Sequence, residues 1–160
     1  MQRKISRAFR TIAAMAVAGA LAAPSLATAQ QPHPAAVGDL MTALVQPRHF
    51  KLGLAGSELN WAYAAYELDQ LRETFADLAD ILPQYRDLSI PDTIRSTVKD
   101  PLAALNRAIQ SKDGDRFTEA HRQLTASCNT CHEAYDRAVI VIQVPTVSIF
   151  PDQDFHLSTK

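Results

Sequence analysis

From Asp39 onward, apolar side chains recur at spacings of three, four and seven, the period of a helix face rather than of a strand. In 39–55 they are Leu40, Met41, Leu44, Val45, Leu52 and Leu54. Pro47 falls inside this stretch and is expected to kink or divide it, because its ring removes a backbone donor. Gly56-Ser57 reads as a break, with Ser57 available to cap the next helix. Over 58–82 a stripe of Leu59, Ala62, Tyr63, Tyr66, Leu71, Phe75, Leu78 and Leu82 faces away from acids and Arg72, and Pro83 ends it. A polar loop over 84–90 leads to Pro91-Asp92, a helix opening. The helix it starts runs over 92–110, and Pro101 is expected to begin a second segment. After the turn at 111–114, Phe117, Ala120, His121, Leu124, Cys128, Cys131, Tyr135 and Ala138 mark a fourth helix.

Four amphipathic helices on short loops predict an all-α chain folded as an antiparallel four-helix bundle over 36–138. Beyond Val139 the chain is β-branched and interrupted by Pro145 and Pro151, so 139–160 reads as an extended tail. No second strand run is available to pair with it. The tail is expected to lie across the bundle and cover apolar side chains.

The first 29 residues differ in kind: a basic start, an apolar run over 12–23, and the small-x-small site Ala27-Thr28-Ala29. This is the layout of a secretory signal peptide cut after Ala29. The run is too short against the ~20 residues that span a bilayer, and Pro24 interrupts any extension. Export to a bacterial periplasm is therefore expected, with 30–160 as the mature domain and no stable membrane insertion. All four charges of the leader are basic, so the remaining 131 residues carry 12 basic and 17 acidic side chains, a net −5. That balance argues against a nucleic-acid partner.

The two cysteines of the chain lie in Cys128-Asn129-Thr130-Cys131-His132, a C-x-x-C-H sequence. This is the attachment site of a c-type haem. Two thiols three residues apart reach the two vinyl groups of one porphyrin edge, and the following His132 becomes the proximal iron ligand. Two other chemistries use such thiols. A redox disulfide usually sits at a helix start after a strand, whereas this pair lies inside a helical stripe. A zinc half-site lacks a second Cys pair or His-x₃₋₅-His partner to complete four ligands.

An exported chain with four helices and one C-x-x-C-H in the last of them resembles cytochrome c′ and its low-spin relatives. Tyr135 and Arg137 after the motif match that family's aromatic and Arg. The resemblance covers about 36–138; Pro47 and the tail depart from it. It implies one covalently attached haem c, bound through Cys128 and Cys131 with His132 on the iron, and a bundle that often pairs into a homodimer. The haem on the last helix would face the early part of the first, where Met41 and His49 are the candidate distal ligands. Eight residues apart, they stand about 80° around an ideal helix and ~12 Å along it, so one iron would not sit opposite both. Each also has a plainer role, Met41 as core filler and His49 as a surface or propionate-contacting side chain. A third outcome is an open sixth position.

Other residues attract simpler expectations. His121, eleven residues before His132, cannot reach the distal face and is expected to be buried or to cap; His33 and His156 lie in tails. Trp61, Tyr63 and Tyr66 have two readings, packing against a porphyrin or, the plainer one at helical spacing, filling the core. Glu58, Glu67, Asp69 and Glu73 should form a solvated face, and Arg48, Lys51 and Arg122 are candidate partners for haem propionates. A filled sixth position would make the protein a periplasmic one-electron carrier working with other redox proteins. An open one would make it a gas-binding haem protein. No enzyme motif appears, and an enzyme is not expected.

Overall fold

The computed structural model describes residues 34–157, with side chains from Val37. The expected signal peptide over 1–29 and His33 lie outside the described residues. The chain is mostly helical. Helix α1 (Pro34–Leu40), a π turn (Met41–Val45) and α2 (Gln46–Ser57) follow one another; α3 is Trp61–Ile81, α4 Ile90–Ser111 and α5 Gly114–Ala134. Strands β1 (Gln84–Tyr85) and β2 (Leu88–Ser89) form a small antiparallel hairpin where a plain loop was expected. Among the described residues, no helix is long and apolar enough to cross a membrane.

The first rod stays helical through Pro47, with a π turn set between α1 and α2 just before it. Leu40, Val45 and Gln46 all keep right-handed helical angles, and the Gln46 N–H reaches back five residues to the Met41 carbonyl. The widened turn meets the need of the proline, whose ring would otherwise press on the carbonyl four residues earlier. Pro101 likewise lies within one continuous α4 rather than starting a new segment. The α3 cap is Asn60, not Ser57: Asn60 Oδ1 accepts from the Tyr63 N–H at 3.2 Å, while Ser57 Oγ donates back to the Leu54 carbonyl. Ser89 and Asp113 cap α4 and α5 in the same way. Helix α5 ends at Ala134, before the expected Ala138, because Asp136 turns left-handed at φ 55°. There the Arg137 and Asp136 N–H groups bond the His132 and Glu133 carbonyls, a Schellman stop.

The resulting rods pack side by side. Arg72 Nη2 reaches the Leu102 carbonyl and ties α3 to α4, and Tyr135 Oη donates to Thr93 Oγ1 and ties the end of α5 to the start of α4. The first rod meets α5 in descending order: Gly56 against Phe117, Gly53 against His121, His49 against Thr125. One apolar cluster joins all the rods through Leu52, Leu68, Leu105 and Leu124. A second, around Leu78, Leu82, Ile90 and Tyr135, closes the end where α3 and α5 stop and α4 begins. Each fully buried Leu or Phe contributes roughly 1.5–3 kcal/mol. Residues 138–157 form no helix or strand. Phe155 of this segment is buried with Tyr63, their rings stacked at 5.3 Å, but Val139, Val141 and Val147 remain exposed.

Two expectations about side chains are corrected. Glu67 is not solvated: it is 1% exposed and paired with Arg48 at 3.1 Å, because α2 crosses the acidic stripe of α3 at that point. Tyr66 is 54% exposed instead of core. Trp61 and Tyr63 pack against the core as expected, on Phe117 and Phe155, at the far end from Cys128.

Gly56 leaves room for α5's Phe117, since a Cβ there would fall within the buried Phe117 ring. Gly56→Ala would gain up to ~1 kcal/mol of helix propensity, but overpacking costs about 1–3 kcal/mol and wins. We expect a net loss of stability, read as a lower urea midpoint with an unchanged slope.

Candidate functional site: an apolar cavity carrying the C-x-x-C-H residues

The end of the molecule closed by the second cluster encloses a cavity of about 240 Å³. Its walls come from every rod: Val37, Met41, Val45 and His49; Phe75 and Leu78; Ile90, Ile94 and Val98; and Cys128, Cys131, His132 and Tyr135. Ile140 and Ile142 of the segment after α5 complete it. The structure thus brings together all five residues singled out in the sequence, Met41, His49, Cys128, Cys131 and His132. Met41, Val45 and His49 share the cavity wall because the π turn takes up an extra residue. The ~80° offset of an ideal helix is thereby reduced.

His132 follows Cys131 in the last turn of α5. Its Nδ1 lies 2.7 Å from the Ile140 carbonyl. A carbonyl only accepts, so Nδ1 carries a proton and donates, which in the neutral tautomer puts the lone pair on Nε2. A metal-binding histidine is usually held in this way, its second nitrogen donating to a carbonyl.

The thiols are half-buried and unpaired. Burial, and then the neighbouring Cys131, pushes the Cys128 thiol up to about 12, and burial also raises Cys131. Their place near the C-terminal end of α5 acts in the same direction, because that end of the helix dipole disfavours anions. A redox dithiol requires the opposite, a thiolate stabilised near a helix N-terminus. Among the described residues, no group of three or more His, Cys, Asp or Glu is placed to hold a metal ion by itself.

Across the cavity, His49 is buried at 4% exposure. Its Nε2 is 2.9 Å from Thr125 Oγ1, which itself donates to the His121 carbonyl, so His49 is the donor in this contact. His121 Nε2 donates to the His49 carbonyl at 3.1 Å, and the two rings stack at 4.6 Å. His121 is therefore buried, one of the two roles expected of it. Burial, reinforced by His121, lowers His49 to about 3; burial also lowers His121. Both rings are neutral near pH 7.

The cations expected to serve propionates are engaged elsewhere. Arg48 pairs with Glu67, Lys51 Nζ sits 4.6 Å over the Phe150 ring, and Arg122 bonds Glu119 on the outer face of α5. The basic side chain on the cavity wall is Arg137, whose Nη2 donates to Tyr85 Oη at 2.8 Å. The sequence marks Arg137 only as a match to the family, because a helix running to Ala138 gives it no direction toward the cavity, whereas α5 ends at Ala134. Only the Schellman turn aims it inward.

Tested against a haem, the residues fit in kind: two neutral thiols, an imidazole with a free Nε2, apolar walls and one cation. The cavity is smaller than the ~300–1,000 Å³ that encloses a drug-sized ligand, so it would sheathe only part of a porphyrin. Comparison with known proteins finds no match among family models, characterised proteins or solved structures.

Two outcomes are expected from this geometry. In the haem-free chain, Cys128 should react with iodoacetamide at pH 8 at least about tenfold more slowly than free cysteine. The second concerns acid. With His49 depressed from 6.5 to about 3, its contribution to stability is intact above pH 6.5 and is lost as pH falls through about 3. The urea midpoint of the haem-free chain should decline across that window, and His49→Phe should flatten the decline.

Proposed function

We propose that the chain is a periplasmic c-type haem protein of the cytochrome c′ kind, acting as a one-electron carrier rather than an enzyme. Under this reading, the rods are the antiparallel four-helix bundle of that family, with covalent haem on the last helix and 139–160 as an extended tail. Residues 1–29 are then the signal peptide that directs export. The observation that carries the reading is the joint placement of Cys128, Cys131 and His132 on one apolar cavity, with His132 Nδ1 tied to the Ile140 carbonyl.

Cys128 and Cys131 would hold haem c through thioethers, and His132 Nε2 would ligate its iron. When bound, the haem supplies a one-electron couple between ferric and ferrous iron. The chain supplies the rest. Val37, Val45, Phe75, Leu78 and Ile94 exclude water from the cavity, which strengthens every electrostatic interaction inside it. Arg137 places a positive charge at the wall, where it would attract a propionate. The net acidic mature chain would favour basic redox partners by steering, and a homodimer is compatible with the family.

His49 and Met41 remain the candidates for the sixth position, both on the cavity wall. The second reading is a gas-binding protein with an open iron. It draws support from the engagement of His49 Nε2 with Thr125, which leaves that nitrogen unavailable unless the bond is exchanged.

The test is the visible spectrum of the periplasmic protein, ferric and ferrous, with and without carbon monoxide. Sharp ferrous bands indifferent to carbon monoxide are expected for the carrier. A broad Soret band that shifts would transfer the conclusion to gas binding. Absence of covalent haem in a maturation-competent host would overturn both.

A further inference from the structure

The segment after α5 returns along the helix it has just left. The Schellman turn at Asp136 and a second turn, where the Ile140 N–H meets the Arg137 carbonyl, reverse the chain. Ile140 then lies beside His132, Ile142 beside Asn129, and Pro145 beside Gly53 of α2. Ile140 and Ile142 line the cavity while Val139 and Val141 face outward, 89% and 65% exposed. Residues 137–145 are thus a strap over one wall of the site.

Apolar burial does little to hold it, because most of its β-branched side chains are exposed. Polar contacts must therefore decide its position. Beyond the Schellman bond of the Arg137 N–H, three side-chain contacts reach the strap from α5. One is the His132–Ile140 bond. The other two come from a single side chain: Asn129 Nδ2 donates to the Ile142 carbonyl at 3.0 Å, and Asn129 Oδ1 accepts the Ile142 N–H at 2.7 Å. A carboxamide matches a peptide group in both directions, as a neighbouring strand would. Asn129 takes up both hydrogen-bonding groups of Ile142, two residues from the carbonyl that holds His132.

We propose that Asn129 is a positioning residue for His132: by clasping the strap at Ile142 it holds the Ile140 carbonyl in place, and that carbonyl fixes the His132 ring proton on Nδ1. The purpose assigned to the freed Nε2 rests on the haem reading; the clasp itself does not. One of the two residues between the cysteines thereby acquires a task beyond spacing them. It couples closure of the cavity wall to the orientation of the imidazole that faces the cavity.

The test uses the full chain as isolated, with amide hydrogen exchange over 138–144 and the exchange lifetime of the His132 Nδ1 proton as readouts. Asn129→Ala removes both bonds, and the Ile142 amide should exchange about tenfold faster. The Nδ1 proton lifetime should shorten by a similar factor, a change that mere loss of packing would not single out. Ile142→Pro, which deletes the donor to Asn129 without touching α5, should reproduce the shortened Nδ1 lifetime if Asn129→Ala disturbs folding. Thr130→Ala, at an exposed neighbour whose hydroxyl bonds only back to Ala126, should change neither readout. An unchanged Nδ1 lifetime in Asn129→Ala and Ile142→Pro would overturn the clasp. Both readouts exist with or without haem, so a chain that shows the clasp yet carries no thioether-linked haem would sink the haem reading alone.

Discussion

The close approach of α2 to α5 governs the rest of the structure. Gly53 and Gly56 present bare backbone to His121 and Phe117, and any larger residue would force the two helices apart. With the helices at this distance, their contacts descend in step from Phe117 to His121 to Thr125. The next turns of each helix therefore meet across the cavity, Met41 and Val45 on one side and Cys128 and His132 on the other. The position of the site along the bundle is a consequence of two missing side chains.

Polar burial is concentrated at that same seam. His49, Thr125 and His121 satisfy one another through a closed set of hydrogen bonds that includes the His49 carbonyl. Leaving such groups unpaired would cost more than each bond gains, so the network fixes register as well as stability. Its burial also keeps both imidazoles neutral. On another face of α2, the half-buried Arg48 pairs with the buried Glu67 and ties the same helix to α3. The first rod is thus pinned on two faces, and its π turn absorbs Pro47 without disturbing either.

The thiols and His132 take their character from the end of α5 that carries them. Burial and the C-terminal helix end both oppose thiolate formation, which separates this pair from redox dithiols built on the same spacing. The chain then turns back through a left-handed Asp136 and supplies a carbonyl to His132 and two backbone groups to Asn129. The strap beyond the last helix is therefore part of the site.

The sequence by itself determined the helical class, the approximate extent of each rod and the chemistry open to Cys128, Cys131 and His132. Those features are written in local periodicity and in the spacing of adjacent residues. It also brought Met41 and His49 forward, because antiparallel neighbours on short loops leave few residues opposite the end of α5. Tertiary structure decided what depends on contacts between distant residues. Glu67 reads as solvated along its own helix and becomes buried only where Arg48 crosses it. Arg137 and Asn129 gain their roles from a turn whose direction is set by one left-handed residue, a conformation that Asp adopts without advertising it. Met41 and His49 share a wall because a proline widened one turn between them, and no count of residues on an ideal helix contains that displacement.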